Sequence, residues 1–241
     1  MSLDLSVVIP AYNEAARLPP TLVRVSRYLR DQGISFEIVV VDDGSTDGTG
    51  EAARREGGAV VTLVRVEPNR GKGHAVRTGM LRATGELRLM TDADLSTPIE
   101  DFALLREALA KGSDVAIGSR AVAGANVEVH QSWFREAAGR TFNRLVRLLA
   151  LPGLHDTQCG FKLWRGAAAV EAFSCGLLDG FCFDVEALYI ARKRGRRVVE
   201  VPVTWRNDVA TRVGALGGMA AFLDLIRIRA NEWRGLYDGS L

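Results

Sequence analysis

The chain has 241 residues, 47% of them hydrophobic, 25% charged and 7% aromatic, with a formal net charge of +2. That length predicts one large domain, or a domain with a short appendage, burying roughly 70% of its unfolded surface. The apolar content excludes a disordered chain, and 25 Gly with 7 Pro excludes a collagen-like or proline-rich one. The balance of 31 Lys+Arg against 29 Asp+Glu argues against a general nucleic-acid binder.

In chain order, Leu5 to Ile9 reads as a short apolar strand, and Leu18, Leu22, Val25 and Leu29 recur at helical spacing. Phe36 to Val41 is a β-branched run that reads as a buried strand, closed by Asp42-Asp43-Gly44-Ser45. A helix over Thr49 to Glu56, a strand over Val60 to Val66, a Gly-rich turn over Asn69 to Gly73 and a helix to about Ala83 follow. After a strand over Leu87 to Thr91, Thr97-Pro98-Ile99-Glu100 predicts a helix start, with a capping Thr and Pro at the first helical position. Ile99, Phe102, Leu105 and Leu109 supply that helix with a buried stripe, and Asp114 to Ser119 is the next strand. Alternating strands and helices imply an open, mostly parallel sheet covered on both faces.

The second half predicts helices over Trp133 to Leu151, Asp184 to Arg194 and about Leu216 to Trp233. Alternating Val199, Val201, Val203 and Trp205 predict a half-exposed strand between Arg197 and Trp205. Residues 1–210 are therefore expected to form one α/β domain and 211–241 a helical appendage. Cys159, Cys175 and Cys182 fit no zinc module and read as small buried hydrophobes of a reducing compartment. The N-terminus has no signal-peptide pattern, and no run approaches the ~18 apolar residues of a spanning helix. The expected location is cytoplasmic, with at most peripheral contact at the membrane face. His74, His130 and His155 are too dispersed to suggest a zinc site.

Ligands of open parallel sheets bind beyond the carboxyl ends of the strands. Four such ends carry polar turns: Pro10 to Glu14, Asp42 to Asp47, Asp92 to Ser96 and Gly118 to Arg120. Any one is explained by turn and capping chemistry, but four on one edge indicate a site. Asp92 and Asp94, one small residue apart, offer two hard oxygen ligands suited to Mg²⁺ or Mn²⁺ and, through it, a diphosphate. Asn69 to His74 lacks the spacing of a P-loop, and no G-x-G-x-x-G follows the first strand, which demotes both a nucleotide triphosphatase and a dinucleotide dehydrogenase.

VVIPAYNE (Val7 to Glu14), VVDDGSTDGT (Val40 to Thr49), NRGKG (Asn69 to Gly73), DADLSTP (Asp92 to Pro98), GSR (Gly118 to Arg120), DTQCGFKLW (Asp156 to Trp164) and FDVEALY (Phe183 to Tyr189) occur together and in order. The chain resembles the family-2 inverting glycosyltransferases of GT-A fold, and within them the dolichyl-phosphate β-glucosyltransferases and their bacterial polyprenyl-phosphate relatives. The resemblance runs from Leu5 to about Arg229. It implies transfer of a hexose, glucose first among the candidates, from a UDP-sugar to polyprenyl or dolichyl phosphate, with Mg²⁺ or Mn²⁺ as cofactor. Pro10, Ala11, Tyr12, Glu14 and Asp43 would cradle the base and ribose, with Asp43 accepting from a uracil N–H, and Lys72 would join that pocket. Asp92 and Asp94 correspond to the metal-binding pair. Arg120 and Arg135 would present cations to the acceptor phosphate. Arg212 either closes over the donor diphosphate or is a solvated surface residue. Asp156 is cast either as a general base or as an orienting group. A lipid phosphate, already largely dianionic at pH 7, favours orientation.

Three rivals stay open: a family-2 transferase acting on a hydroxyl, a GDP-mannose-using enzyme, and a degenerate scaffold. Retention of both D-x-D aspartates opposes the scaffold. In the helix from Trp133, Arg140, Arg144 and Arg147 form one stripe, with Ala138, Phe142, Leu145 and Leu149 opposite. That pattern fits either a helix lying in an anionic membrane surface or one packed on the sheet with a solvated basic face. Met219, Phe222, Leu223, Leu225, Ile226 and Ile228 nearly encircle the last helix, which therefore wants a partner such as a second subunit.

Overall fold

A computed structural model describes residues 3–128, 133–206 and 215–239; the side chains of 133–138, 140 and 215–220 fall outside that description. The elements are β1 (Leu5–Ala11), α1 (Leu18–Asp31), β2 (Phe36–Asp42), α2 (Thr49–Gly57), β3 (Val61–Arg65), α3 (Lys72–Arg82), β4 (Leu87–Met90), α4 (Phe102–Ala110) and β5 (Val115–Ser119). They continue with β6 (Asn126–Val127), α5 (Trp133–Leu149), β7 (Lys162–Arg165), α6 (Gly166–Ser174), α7 (Phe183–Lys193), β8 (Val198–Pro202), β9 (Thr204–Trp205) and α8 (Ala215–Trp233).

Seven strands form one sheet in the order β3-β2-β1-β4-β7-β5-β8, and β6 pairs with β9 in a separate ribbon. All neighbours in the large sheet are parallel except β7, which runs antiparallel to both β4 and β5. Side chains of a strand alternate between faces, and β1 divides accordingly. Val8 joins the core under α3, α6 and α7, whereas Val7 and Ile9 join the core under α1 and α4. Both layers are well buried: Leu18, Leu22, Val25 and Leu29 of α1 are buried, as are Val76 and Met80 of α3. The expected open, mostly parallel sheet with helices on both faces is what the chain forms.

Several details differ from the sequence reading, including α6 and β6, for which it has no element. The helix after Asp94 does not start on a Thr97 cap. Pro98 is extended (φ −59, ψ 142), a 3₁₀ turn spans Ile99–Asp101, and α4 begins at Phe102. The Thr97 hydroxyl instead lies 3.8 Å from the Cys159 sulfur, a tertiary contact that outweighs local capping. Strand β7 was not anticipated, because four residues reading Lys-Leu-Trp-Arg carry no alternation. The strand expected over 197–205 breaks at Val203: β8 stays beside β5, and β9 leaves the sheet to pair with β6. The apolar face of α5 is rotated by about one residue: Phe142 and Val146 are buried, while Leu149 and its neighbour Leu148 are exposed. The Phe142 ring meets Phe222 of α8 edge-on at 5.4 Å, which sets that rotation.

Helix α8 sends Ala221, Leu225 and Ile228 into the core and leaves Phe222, Leu223 and Ile226 exposed. No helix among the described residues is long and apolar enough to cross a membrane. The three cysteines are unpaired, with Cys159 and Cys182 buried and Cys175 half-buried.

Candidate active site

Because β1, β2, β4 and β5 are parallel, their carboxyl ends bring residues 10–14, 42–49, 91–96 and 119–120 to one edge. The antiparallel β7 enters from that same edge, so the segment Asp156–Phe161 that precedes it arrives beside them. Pro10 and Ala11 close β1 and are buried, whereas Tyr12 is exposed at its mouth.

The first two turns are stitched together. Asn13, at φ +56, donates its N–H to Ser45 Oγ (2.9 Å) and accepts from Thr46 N–H through Oδ1 (2.9 Å). Glu14 N–H donates to Thr49 Oγ1 at 2.8 Å, and the Glu14 carboxylate is held by Arg17 at 2.5 and 2.6 Å. Asp43 is buried, and its two oxygens accept the backbone N–H groups of Arg70 (3.0 Å) and Gly71 (2.8 Å). It thereby shapes the Asn69–Gly73 loop. A carboxylate has about four lone-pair sites, so acceptor capacity toward a base remains. Gly71 sits at φ +105, and a Cβ there would come 2.5 Å from the Asp179 carbonyl oxygen. Only glycine permits the loop to lie against residues 178–180, where Gly73 N–H donates to that same oxygen at 2.8 Å.

Lys72 opens α3, and its ammonium reaches Asp92 Oδ1 at 2.6 Å. Burial opposes its charge, but the Asp92, Asp184 and Asp94 carboxylates more than offset that and hold its pKa above the usual lysine value. Asp94 lies in a turn made tight by Leu95 at φ +48; its Oδ1 accepts Ser96 N–H at 2.9 Å and its Oδ2 lies 3.8 Å from Arg17. A Cβ on Gly160 would overlap the Asp92 carboxylate. Gly160 is therefore the floor on which Asp92 rests. Behind it, Lys162 is fully buried and donates to Asp184 Oδ1 (2.6 Å) and the Cys159 carbonyl (2.5 Å).

The residues present suit a divalent cation. Two partly exposed carboxylates flank Ala93, and Asp92 already carries a cation, the Lys72 ammonium, in hydrogen-bonding contact. Among the described residues no third carboxylate, histidine or cysteine completes a protein-only cluster. Mg²⁺-type sites commonly use one or two carboxylates and take their remaining oxygens from water and phosphates.

Arg120, expected to present its cation to the acceptor phosphate, is forked onto Asp156. Nε and Nη2 donate to the two carboxylate oxygens at 2.7 and 2.9 Å, and the Arg120 backbone N–H adds a third bond at 3.0 Å. Burial pushes the Asp156 carboxyl up, but the guanidinium and these hydrogen bonds win and hold it below the usual range. Asp156 N–H and His155 N–H donate to Glu200 of β8 at 2.9 and 2.8 Å, and Ser119 Oγ donates to the same carboxylate at 2.7 Å. Glu200 escaped the sequence reading, since it looked like one polar residue of an alternating strand. Arg135 lies in α5 with its side chain outside the described residues, and Arg212 lies outside them altogether.

The seven-stranded, mostly parallel sheet with helices on both faces is a scaffold of GT-A type. Solved structures agree on the fold: a glucosyl-3-phosphoglycerate synthase of Mycobacterium tuberculosis with UDP aligns at TM-score 0.70 (19% identity, 95% of this chain, 80% of that chain). A mannosyl-3-phosphoglycerate synthase of Rubrobacter xylanophilus aligns at 0.74 (20% identity, 96% and 76%). The Mycobacterium protein has also been solved with Mn²⁺ and UDP-glucose (TM-score 0.64, 20% identity, 92% and 79%).

The model of the family Glycosyl transferase family 2 matches residues 6–168. A dolichyl-phosphate beta-glucosyltransferase of Trichomonas vaginalis is 36% identical over 95% of this chain and 75% of its own. The human enzyme of that name is 38% identical over 84% and 67%. The chain belongs to glycosyltransferase family 2 and is a glycosyltransferase.

Proposed function

We propose that this enzyme transfers glucose from UDP-glucose to a polyprenyl phosphate of the dolichyl type, with inversion and with Mg²⁺ or Mn²⁺. The observation that carries the reading is the juxtaposition at one sheet edge of the Asp92/Asp94 pair with the Arg120–Asp156 fork. Asp92 is close enough to Arg120 to contribute to its field. The names of relatives matching nearly the whole chain point to the same donor sugar and acceptor.

In this reading Pro10, Ala11, Tyr12, Glu14, Asp43 and Lys72 hold the nucleoside, and Asp92 and Asp94 hold the cation against the diphosphate. The cation supplies charge neutralisation of the leaving nucleoside diphosphate. Arg120, with Arg135, orients the acceptor phosphate. A phosphate monoester has a second pKa near 6, so its oxygen is a ready nucleophile at neutral pH. That oxygen forms the new bond to the anomeric carbon as the bond to the diphosphate oxygen breaks, and no proton need move. Asp156, spent on Arg120 and held ionised, positions that arginine and is not required as a base. Arg212 would close over the donor diphosphate.

A polyprenyl acceptor requires contact with a lipid surface. Leu223 and Ile226, exposed on α8 beside Arg227, supply apolar surface for such contact. The enzyme is proposed to act peripherally at the cytoplasmic membrane face, with no nucleic-acid partner; pairing through the same α8 face would be the homo-oligomeric alternative.

The test incubates purified protein with Mn²⁺, geranyl phosphate and labelled UDP-glucose, with GDP-mannose in parallel, followed by organic extraction. Label in the lipid phase from UDP-glucose, lost with chelator and in Asp94→Ala, is expected. Free labelled sugar only, transfer from GDP-mannose alone, or undiminished activity in Asp94→Ala overturns the reading.

A further inference from the structure

The short strand β9 holds a residue that the mechanism above does not use. Thr204 N–H donates to Asp101 Oδ2 at 2.7 Å and Arg206 N–H donates to the Ser96 carbonyl at 2.8 Å. Ser96 in turn donates its N–H to Asp94 Oδ1. On both sides of Trp205, therefore, the backbone is tied to the segment that carries the candidate metal carboxylate. The opposite edge of β9 pairs with β6: Glu128 N–H donates to the Trp205 carbonyl at 3.0 Å, and the Glu128 carboxylate grips Arg206 at 2.5 and 3.3 Å. Thr204 and Trp205 leave the main sheet to form this ribbon, and it brings the Trp205 indole against Arg120.

The Arg120 guanidinium lies 5.1 Å from the centre of that ring. A planar guanidinium needs two constraints to be aimed. Asp156 fixes its edge through two parallel hydrogen bonds, but the group can still tilt about the axis of that fork. An aromatic face beneath it removes the tilt and adds attraction for the cation. Trp205 is half-buried.

We propose that Trp205 is a positioning residue for the acceptor: it sets the plane of Arg120 and, through β9, couples that plane to the Asp94 turn. The inference rests on the reading of Arg120 as an acceptor-phosphate group. The ties from β9 to the Asp94 turn are made by the backbone N–H groups of Thr204 and Arg206, which a change of the Trp205 side chain leaves in place, so donor binding is not expected to depend on the indole.

Trp205→Leu keeps an apolar side chain but removes the π-face, and Trp205→Phe keeps one. Kinetics with geranyl phosphate and UDP-glucose in Mn²⁺, UDP affinity and thermal stability are measured for both. Trp205→Leu is expected to raise KM for geranyl phosphate about tenfold, to leave UDP affinity and Tm close to wild type, and to be largely rescued in Trp205→Phe. A merely structural role would lower Tm and UDP affinity together with turnover, and unchanged acceptor KM in Trp205→Leu also overturns the inference. Wild-type transfer is measured first, since its absence overturns the functional reading. Calorimetric binding of geranyl phosphate to wild type and Trp205→Leu judges the inference even then: weaker binding in the variant supports it, and equal affinities overturn it.

Discussion

Replacing Asp156 by Asn keeps the shape of the side chain and removes its charge. In the folded protein this carboxylate is 2% exposed and takes three N–H bonds from Arg120, whose side chain is 28% exposed. Removing one partner of a fully buried ion pair costs about 3–5 kcal/mol, and partial exposure of Arg120 brings the expected loss to about 2–3 kcal/mol. For a domain of this size that is a fall in Tm of about 5–10 °C. The Asp156 carboxyl has a folded pKa below its ordinary value of 3.8. Its contribution is therefore present above the unfolded value and is lost as pH falls through the folded one. Urea unfolding followed by tryptophan fluorescence should show the gap between wild type and Asp156→Asn at its widest near neutrality and closing below pH 3.8. Turnover should fall about ten- to hundredfold as Arg120 loses its edge constraint, while the acid limb of the rate profile, set by the acceptor phosphate, persists. A neutral-pH stability within about 0.5 kcal/mol of wild type, or a gap that does not close in acid, would refute the pairing argument. Loss of the acid limb in the variant would restore Asp156 as a base.

Two further outcomes test other parts of the site. In Gly160→Ala the new methyl displaces the Asp92 carboxylate from its floor, so the Mn²⁺ concentration giving half-maximal UDP binding should rise about tenfold, and an unchanged metal titration would contradict this placement. Introducing charge into the exposed face of α8 with Leu223→Glu and Ile226→Glu should abolish co-sedimentation with vesicles containing phosphatidylglycerol while leaving UDP affinity unchanged; undiminished sedimentation would remove that face from the lipid contact.

Much of this architecture was legible locally. The apolar runs of β1 and β2 and the helical spacing of Leu18, Leu22, Val25 and Leu29 are one-dimensional signals, because burial against a sheet imposes period two or 3.6 on the chain itself. The polar turns after those strands were readable for the same reason: strand polarity alone places them on one edge of a parallel sheet. Asp92 and Asp94 are neighbours in sequence, so their pairing needed no fold. The partners of Arg120 did need one. Asp156 lies 36 residues away and reaches it only because β7 inserts antiparallel between β4 and β5. Gly160 under Asp92, Glu200 under the His155–Asp156 turn and Trp205 beneath Arg120 are likewise contacts between distant segments. None leaves a periodic trace, since a single side chain packed across elements has no spacing to detect. Composition and pattern determined the alternation of strands and helices and the edge on which the polar turns gather; the order of strands in the sheet decided which charges meet there, because ion pairing depends on distance in space and not on position along the chain.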